Sequence, residues 1–154
     1  MLFILFTLDR ERYVIDATQV ERMMPLDPRA PPKTIPGAPS WVAGVLEYDG
    51  APLPVIDVPA LALGRPAARL MSTRVVLVRY PHAGRVRLLA LLLEGATRTI
   101  RLEPDAFRPT GIDTPHARYL GPVASEAGGL VQWIRVDELL PGDVQTLLFP
   151  EAHA

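Results

Sequence analysis

Residues 44–58, which read GVLEYDGAPLPVIDV, contain the strongest structural signal in the chain. Asp49 and Gly50 separate two apolar runs, and an Asp-Gly pair favours a type I′ turn because both central residues of that turn need a positive φ. A two-residue turn here places Tyr48 opposite Ala51. The sequence therefore predicts a central hairpin over residues 44–58.

Two prolines in the second run test the register of this hairpin. In a two-residue hairpin the residues that flank the turn exchange both of their backbone hydrogen bonds. The N–H groups of Ala51, Leu53 and Val55 then point at the partner strand, whereas Pro52 and Pro54 lie on the outer edge. A sheet tolerates proline there, because no ladder donor is lost. The predicted pairs are Tyr48–Ala51, Glu47–Pro52, Leu46–Leu53, Val45–Pro54 and Gly44–Val55.

Composition excludes several classes of function. The 154 residues include 16 basic and 17 acidic side chains, and a net charge of −1 gives no electrostatic footprint for nucleic acid. Without cysteine, disulfide and thiolate chemistry are excluded. The apolar run 88–93 is far shorter than the ~20 residues of a membrane span, and the first residues lack a signal-peptide pattern. We therefore predict a cytoplasmic protein that does not insert into a membrane.

Short apolar runs separated by 17 prolines and 11 glycines predict many short strands. One segment has a helix-like pattern, with apolar residues at Val20, Met23 and Met24. Pro25 would end a helix at this point. The pattern as a whole indicates an all-β fold of one or two small barrels. Strands are predicted over residues 2–8, 13–16, 72–80, 85–94, 97–102, 119–125 and 130–136, with helical turns over 18–21, 59–64 and 137–140.

The order of these elements resembles the CheW-like family, the coupling proteins of bacterial chemosensory arrays. Its opening motif, Tyr-x-Ile-Asp-x-x-x-Val, matches residues 13–20, and its proline-rich hairpin segment matches residues 36–58. Later elements match residues 74–78, 91–95 and 119–121. The resemblance runs from Phe3 to Leu140, and its ordered set of motifs is more specific than any single one.

The resemblance implies a fold of two SH3-like five-stranded β-barrels in tandem. Residues 1–154 would form one domain made of two intertwined barrel subdomains, without catalysis and without a cofactor. Such a protein links the cytoplasmic tip of a chemoreceptor to the regulatory domain of a CheA-type histidine kinase. Receptor contact is expected in the groove between the barrels and kinase contact at the barrel ends, where the sequence does not identify the contacting residues.

The receptor-groove residues are expected at five positions, which are Val20, Arg22, Met23, Tyr48 and Asp49. Two of them depart from the family pattern: Asp49 replaces an arginine of the hairpin, and Arg22 replaces a glutamate. Since both charges reverse together, we predict an Arg22–Asp49 ion pair of swapped polarity. Such a pair would affect partner choice more than stability, which predicts a dedicated chemosensory pathway rather than the general flagellar one.

Four of these five residues, all but Arg22, also have a purely structural interpretation. Asp-Gly is a favourable turn whatever the partner, and Tyr48 is also explained as a cross-strand core residue over Ala51. Val20 and Met23 are of the residue types that fill cores. These alternatives stay open at the level of sequence.

Catalysis is not predicted. His82, His116 and His153 have no metal-ligand or dyad spacing, and the serines lack the context of a nucleophile elbow. The alternative function is a stand-alone β-barrel that binds a small ligand or a peptide.

Overall fold

The structure, a computed structural model, describes residues 1–150, so His153 lies outside the described residues. Strands are the main regular structure and far outnumber the short helices, which confirms the predicted fold class. The strands are β1 Leu2–Leu8, β2 Glu11–Asp16, β3 Val20–Pro25, β4 Val42–Tyr48, β5 Ala51–Asp57, β6 Arg74–His82, β7 Arg85–Arg101, β8 Leu120–Glu126 and β9 Gly129–Ile134. Two short α-helices, α1 Val58–Leu63 and α2 Gly142–Leu148, and the 3₁₀ turns Ala17–Gln19, Pro104–Ala106 and Val136–Glu138 complete the fold.

Two five-stranded sheets share β7. The first sheet has the order β7-β1-β2-β9-β8 and the second the order β3-β6-β7-β5-β4. Strands β5 and β7 are parallel, as are β2 and β9, and the other pairs are antiparallel. Whether the two sheets are barrel subdomains of one domain stays a prediction. It is supported by β7, which belongs to both sheets.

The prediction of separate strands over residues 85–94 and 97–102 is wrong, because β7 is continuous. Gly95 lies in its middle with φ +66° and allows the strand to bend from one sheet into the other. A Cβ at this position would lie 2.7 Å from the Thr7 side-chain oxygen, so any other residue would have to displace Thr7 as well as adopt a positive φ.

The helix-like spacing after residue 19 is also corrected, because Val20–Pro25 is a strand. It pairs with β6 from Val20–Val78 to Pro25–Arg74, and these cross-strand contacts outweigh the local pattern. The pairing shifts between Val20 and Arg22, which indicates a β-bulge. The extra residue puts Val20 and Met23 against the same core cluster and so produces a three-residue spacing without a helix.

The central hairpin has the predicted register at every pair from Tyr48–Ala51 to Gly44–Val55. Asp49 and Gly50 have φ values of +52° and +77°, as a type I′ turn requires. Gly44 is needed for another reason: a Cβ there would lie 2.1 Å from the carbonyl oxygen of Lys33, which pairs with Val45.

Three apolar clusters hold the sheets together. The first sheet encloses an aromatic cluster, in which the Trp133 ring meets Phe3 edge to face at 4.9 Å and Phe107 at 5.1 Å. The second sheet encloses an aliphatic cluster that includes Leu53 and Leu77. The largest cluster lies between the sheets, where β1 packs against β6 and β7, so burial of apolar surface fixes the sheets against each other.

Candidate functional site: the open end of the second sheet

The two ends of the second sheet differ. Because β5 and β7 are parallel, the turns that precede them, at Asp49-Gly50 and Ala83-Gly84, lie at the same end, which we call the open end. The opposite end, which we call the closed end, contains Asp57, Glu94 and the loop 64–73.

A groove lies at the open end, where β5 and β7 separate. The two strands pair only from Val55–Ala90 to Asp57–Leu92. Nearer the turns, Pro52 has no N–H with which to continue the ladder. The groove has a volume of about 580 Å³. Its lining residues are mostly apolar: Ile35, Val45, Tyr48, Ala51, Pro52, Leu53, Pro54, Val86, Arg87, Leu88, Leu147, Leu148 and Phe149.

Parts of this lining are unusually exposed for apolar side chains. Val86 is 67% exposed and Leu147 is 43% exposed, although both belong to regular elements. Exposed apolar residues grouped around a groove are typical of a binding surface, whereas single ones scattered over a protein are normal. The open end therefore has the character of an interaction site.

Charged residues flank the groove on both sides. The β4–β5 hairpin carries the exposed acids Glu47 and Asp49, and the β6–β7 hairpin carries the exposed Arg85 and the half-buried Arg87. Within residues 1–150 none of these four side chains forms an ion pair. The Arg87 guanidinium lies 5.8 Å from the centre of the Phe149 ring, and its Nε has no hydrogen-bond partner among the described residues.

The structure places the predicted receptor-groove residues in two groups. Tyr48 and Asp49 belong to the open end, where Tyr48 is half-buried against the aliphatic cluster and Asp49 is exposed. Val20, Arg22 and Met23 lie on β3, an edge strand of the same sheet. Val20 and Met23 pack partly against the cluster between the sheets, and Arg22 is exposed.

The predicted Arg22–Asp49 ion pair is wrong for this structure: none exists within a nitrogen–oxygen distance of 4 Å. Arg22 lies on β3 and Asp49 in the β4–β5 turn, and β6 and β7 lie between β3 and this hairpin in the order of the sheet. On β3 the neighbouring Glu21 forms the ion pair instead, with Arg79 at 2.7 Å. Arg79 also donates a hydrogen bond to the backbone carbonyl of Thr18 at 2.9 Å, so two contacts fix the Arg79 side chain.

Two buried carboxylates stabilise the closed end. Asp57 accepts hydrogen bonds from the backbone N–H groups of Ala60 at 3.0 Å and Ala67 at 2.9 Å, which caps α1 and fixes the following loop. Glu94 accepts two hydrogen bonds from Arg65, at 2.8 and 2.9 Å, and one from the N–H of Ala68.

Arg65 connects the closed end to the first sheet. Besides Glu94, its guanidinium contacts Asp9 in the β1–β2 turn at 2.9 Å. The hydrogen bond from Arg65 lowers the pKa of Glu94, with burial acting in the opposite direction. This contact has no signal in the sequence, because Arg65 is 29 residues from Glu94 and 56 from Asp9, and no local pattern links them. These groups bind one another, which gives them a structural role.

The described residues offer no constellation for catalysis. Among residues 1–150 there is no group of three His, Asp or Glu side chains that would hold a metal ion. His82 lies 3.2 Å from the side-chain oxygen of Gln145, beside Phe149, and contacts no nucleophile there. In the same part of the chain, every helix is too short or too polar to cross a membrane.

Two five-stranded sheets joined by one long strand, with a groove and charged hairpins at one end, characterise an all-β domain with one candidate interaction surface. The model of the CheW-like domain matches residues 2–143, and the chain belongs to this family. This confirms the resemblance inferred from the motifs. Membership supports a coupling or scaffold role in chemosensory systems and fits the prediction of a protein without catalysis.

A solved structure shows the same fold. The chain is similar to the crystal structure of the scaffolding protein TtCheW from Thermoanaerobacter tengcongensis, with a TM-score of 0.75 and 19% sequence identity. The match covers 91% of this chain and 87% of that chain. No curated protein matches this sequence.

Proposed function

We propose that this protein is a non-catalytic coupling protein, located in the cytoplasm, that links the cytoplasmic tip of a chemoreceptor to the regulatory domain of a CheA-type histidine kinase. The observation that carries the proposal is the family match over residues 2–143. The groove at the open end adds to it, because a surface of exposed apolar side chains flanked by charges suits a protein partner.

The receptor surface would include Val20, Arg22, Met23, Tyr48 and Asp49. Arg22 and Asp49 are exposed, so their charges are available to a partner. Since neither charge is neutralised by the other, each would act on the partner separately. Charges of this kind affect the rate of encounter and the choice of partner more than the affinity.

Rigidity would make this protein a coupler. The two sheets share β7, pack over one apolar cluster and are joined by Arg65, so we expect them to move as one unit. A receptor displacement would then shift the kinase between active and inactive states, provided that the contacts differ between those states.

Kinase activity in a reconstituted array tests the proposal. Purified protein is added to receptor-containing vesicles and the kinase, and autophosphorylation is measured with and without the receptor's stimulus. We expect the kinase to respond to stimulus only when the protein is present. A response of the same size without it would refute the proposed function.

Reversal of the two charges tests the receptor surface. In the double variant Arg22→Glu with Asp49→Arg, we expect altered preference between receptor tips of the chain's own pathway and those of the flagellar pathway. The matched control reverses Arg29 and Asp27, an exposed pair in a loop, 3.4 Å apart. If the double variant and the control bind both receptor classes as the wild type does, the charges do not select the receptor.

A stand-alone binding domain is the second candidate function. The groove volume of about 580 Å³ lies within the range of roughly 300–1,000 Å³ that is typical of ligand sites. Affinity purification from the native cell separates the two candidates. A co-purified metabolite or peptide without kinase and receptor supports the second, and recovery of the kinase with a coiled-coil receptor supports the first.

A further inference from the structure

The loop after α1 contains an arginine whose hydrogen-bond donors are all occupied. A guanidinium has five N–H donors in a fixed plane. In Arg65 two of them donate to Glu94, at 2.8 and 2.9 Å, and two donate to the Oδ1 atom of Asp9, at 2.9 and 3.3 Å. The fifth donates to the carbonyl oxygen of Pro66 at 3.2 Å. Because rotation of the side chain would break several contacts at once, Arg65 holds its partners in one geometry.

The two carboxylates that share Arg65 belong to different sheets. Glu94 lies on β7 directly before Gly95, where the strand bends out of the second sheet. Asp9 lies in the turn between β1 and β2 of the first sheet. Arg65 therefore bridges the sheets beside the bend of the strand that they share. At such a bend a small change of backbone angle moves one sheet against the other.

The two contacts of this bridge differ in exposure. The Glu94 side chain is only 11% exposed and also accepts a hydrogen bond from the N–H of Ala68. The Asp9 side chain is 61% exposed, and Arg65 is its only hydrogen-bond partner among the described residues. Salt screens exposed charges more than buried ones, so the contact with Asp9 can weaken while the contact with Glu94 persists.

We propose that Asp9 is a positioning residue, which fixes the orientation of the first sheet against the second through Arg65. The inference rests on the proposed function, in which the receptor tip contacts the groove between the sheets. Val20 and Met23, two of the expected receptor-groove residues, pack on the cluster between the sheets, so a change of orientation reaches them. Without the contact to Asp9, the bend at Gly95 would absorb part of a receptor displacement before it reached the kinase.

The variant Asp9→Asn tests this role. Asparagine keeps the size of the side chain and tolerates the left-handed backbone of Asp9, which has φ +54°, so the turn is kept while the charge is removed. The matched control is Asp27→Asn, which removes the charge of an exposed pair with Arg29 inside one loop. Exposed pairs contribute little to stability, so each variant should unfold within about 4 °C of the wild type.

The distance between the sheets gives the first readout, on the protein alone. The chain has no cysteine, so Glu47→Cys with Ser125→Cys places one spin label at an exposed strand position of each sheet. Pulsed electron spin resonance should show a narrow distance distribution with Asp9 present and a broader or displaced one for Asp9→Asn. Raising the salt from about 0.01 M to about 1 M should broaden the first distribution and leave the second unchanged.

Coupling in the reconstituted array gives the second readout. The receptor tip and the kinase regulatory domain should each bind Asp9→Asn within about twofold of the wild-type affinity, because the Asp9 carboxylate is engaged by Arg65. The response of the kinase to stimulus should nevertheless fall by at least about twofold. The control Asp27→Asn should leave distances, binding and response unchanged.

Three results would overturn the proposal. They are identical distance distributions for the wild type and Asp9→Asn, an unchanged response to stimulus despite altered distances, and weaker binding of either partner, which would make Asp9 a contact residue. If the wild type itself does not couple the receptor to the kinase, the proposed function fails. The distance measurement needs no partner, so it still decides whether Asp9 orients the sheets.

Discussion

The two ends of the second sheet use charge in opposite ways. At the closed end, the carboxylates of Asp57 and Glu94 are buried, and hydrogen bonds from Ala67, Arg65 and Ala68 satisfy them. At the open end the charged side chains form no ion pair within the described residues, and exposed apolar side chains lie between them. Buried charges satisfied inside the chain stabilise the fold, whereas charges left unpaired beside apolar surface favour a partner.

This contrast predicts that substitutions at the closed end affect stability and that substitutions at the open end affect association. The largest effect is expected for Glu94→Ala. It leaves the N–H of Ala68 without its acceptor and removes both hydrogen bonds from Arg65, so the free energy of unfolding should fall by about 2–3 kcal/mol. Urea denaturation measures the change, with Glu103→Ala, an exposed acid without such contacts, as the control. Equal effects of the two variants would contradict the structural role of Glu94.

Acid should weaken the closed end. Arg65 holds the pKa of Glu94 below the ordinary 4.5, so the carboxylate stabilises the fold fully above pH 4.5, and this stability is lost as the pH falls toward the lowered pKa. We expect the wild type to be more stable than Glu94→Gln above pH 4.5 and the two to converge below it. Urea denaturation at several pH values measures this difference. If the difference in the free energy of unfolding between the two proteins is the same at every pH, the ionisation of Glu94 does not contribute to stability.

Glu126 adds to the acid sensitivity of the wild type and of Glu94→Gln. Arg12 donates a hydrogen bond to this carboxylate and lowers the pKa of Glu126, as Arg65 lowers the pKa of Glu94. The Glu94→Gln protein should therefore keep part of its pH dependence, so the comparison of the two proteins is more informative than either curve alone.

A smaller effect is expected at the tip of the open end. Asp49 has φ +52°, a conformation that alanine tolerates poorly, so Asp49→Ala should lower the free energy of unfolding by about 1 kcal/mol. Asp49→Asn removes the charge but suits the same backbone, and should change stability by less than about 0.5 kcal/mol. If Asp49→Asn also leaves receptor binding unchanged, the turn alone explains the residue.

The smallest effect on stability is expected for Val86→Thr. The side chain is 67% exposed, so the free energy of unfolding should stay within about 0.5 kcal/mol of the wild-type value. Binding of the receptor tip should nevertheless weaken, because the added hydroxyl must be desolvated when a partner covers the groove. Thermal denaturation measures the stability, and titration with the receptor tip measures the binding. A large loss of stability would show that Val86 belongs to the core.

The sequence predicted the hairpin well because its signals are local. The Asp-Gly turn determines the pairing of Tyr48 with Ala51. Pro52 and Pro54 are compatible only with this register, in which their missing N–H groups would not have pointed at β4. The family could be predicted for a related reason, because its short motifs occur in the expected order along the chain. Both depend on which residues are neighbours in sequence.

The features that sequence missed depend on distant contacts. The identity of β3 is decided by its pairing with β6, whose residues lie 49 to 58 positions later in the chain. The continuity of β7 depends on the close approach of Gly95 to the Thr7 side chain. The closed end depends on the ion pairs of Arg65 with Asp9 and Glu94. The Arg22–Asp49 pair was wrong because a correlated change of charge does not bring two exposed side chains together.

Hydrogen exchange of the protein with and without its partners tests the central claim most directly, namely that the open end is the interaction surface. We predict slower exchange over residues 20–23, 46–53 and 85–88 when the receptor tip and the kinase regulatory domain are added, with residues 65–73 unaffected. Protection confined to residues 65–73, with no change at the two hairpins, would contradict it.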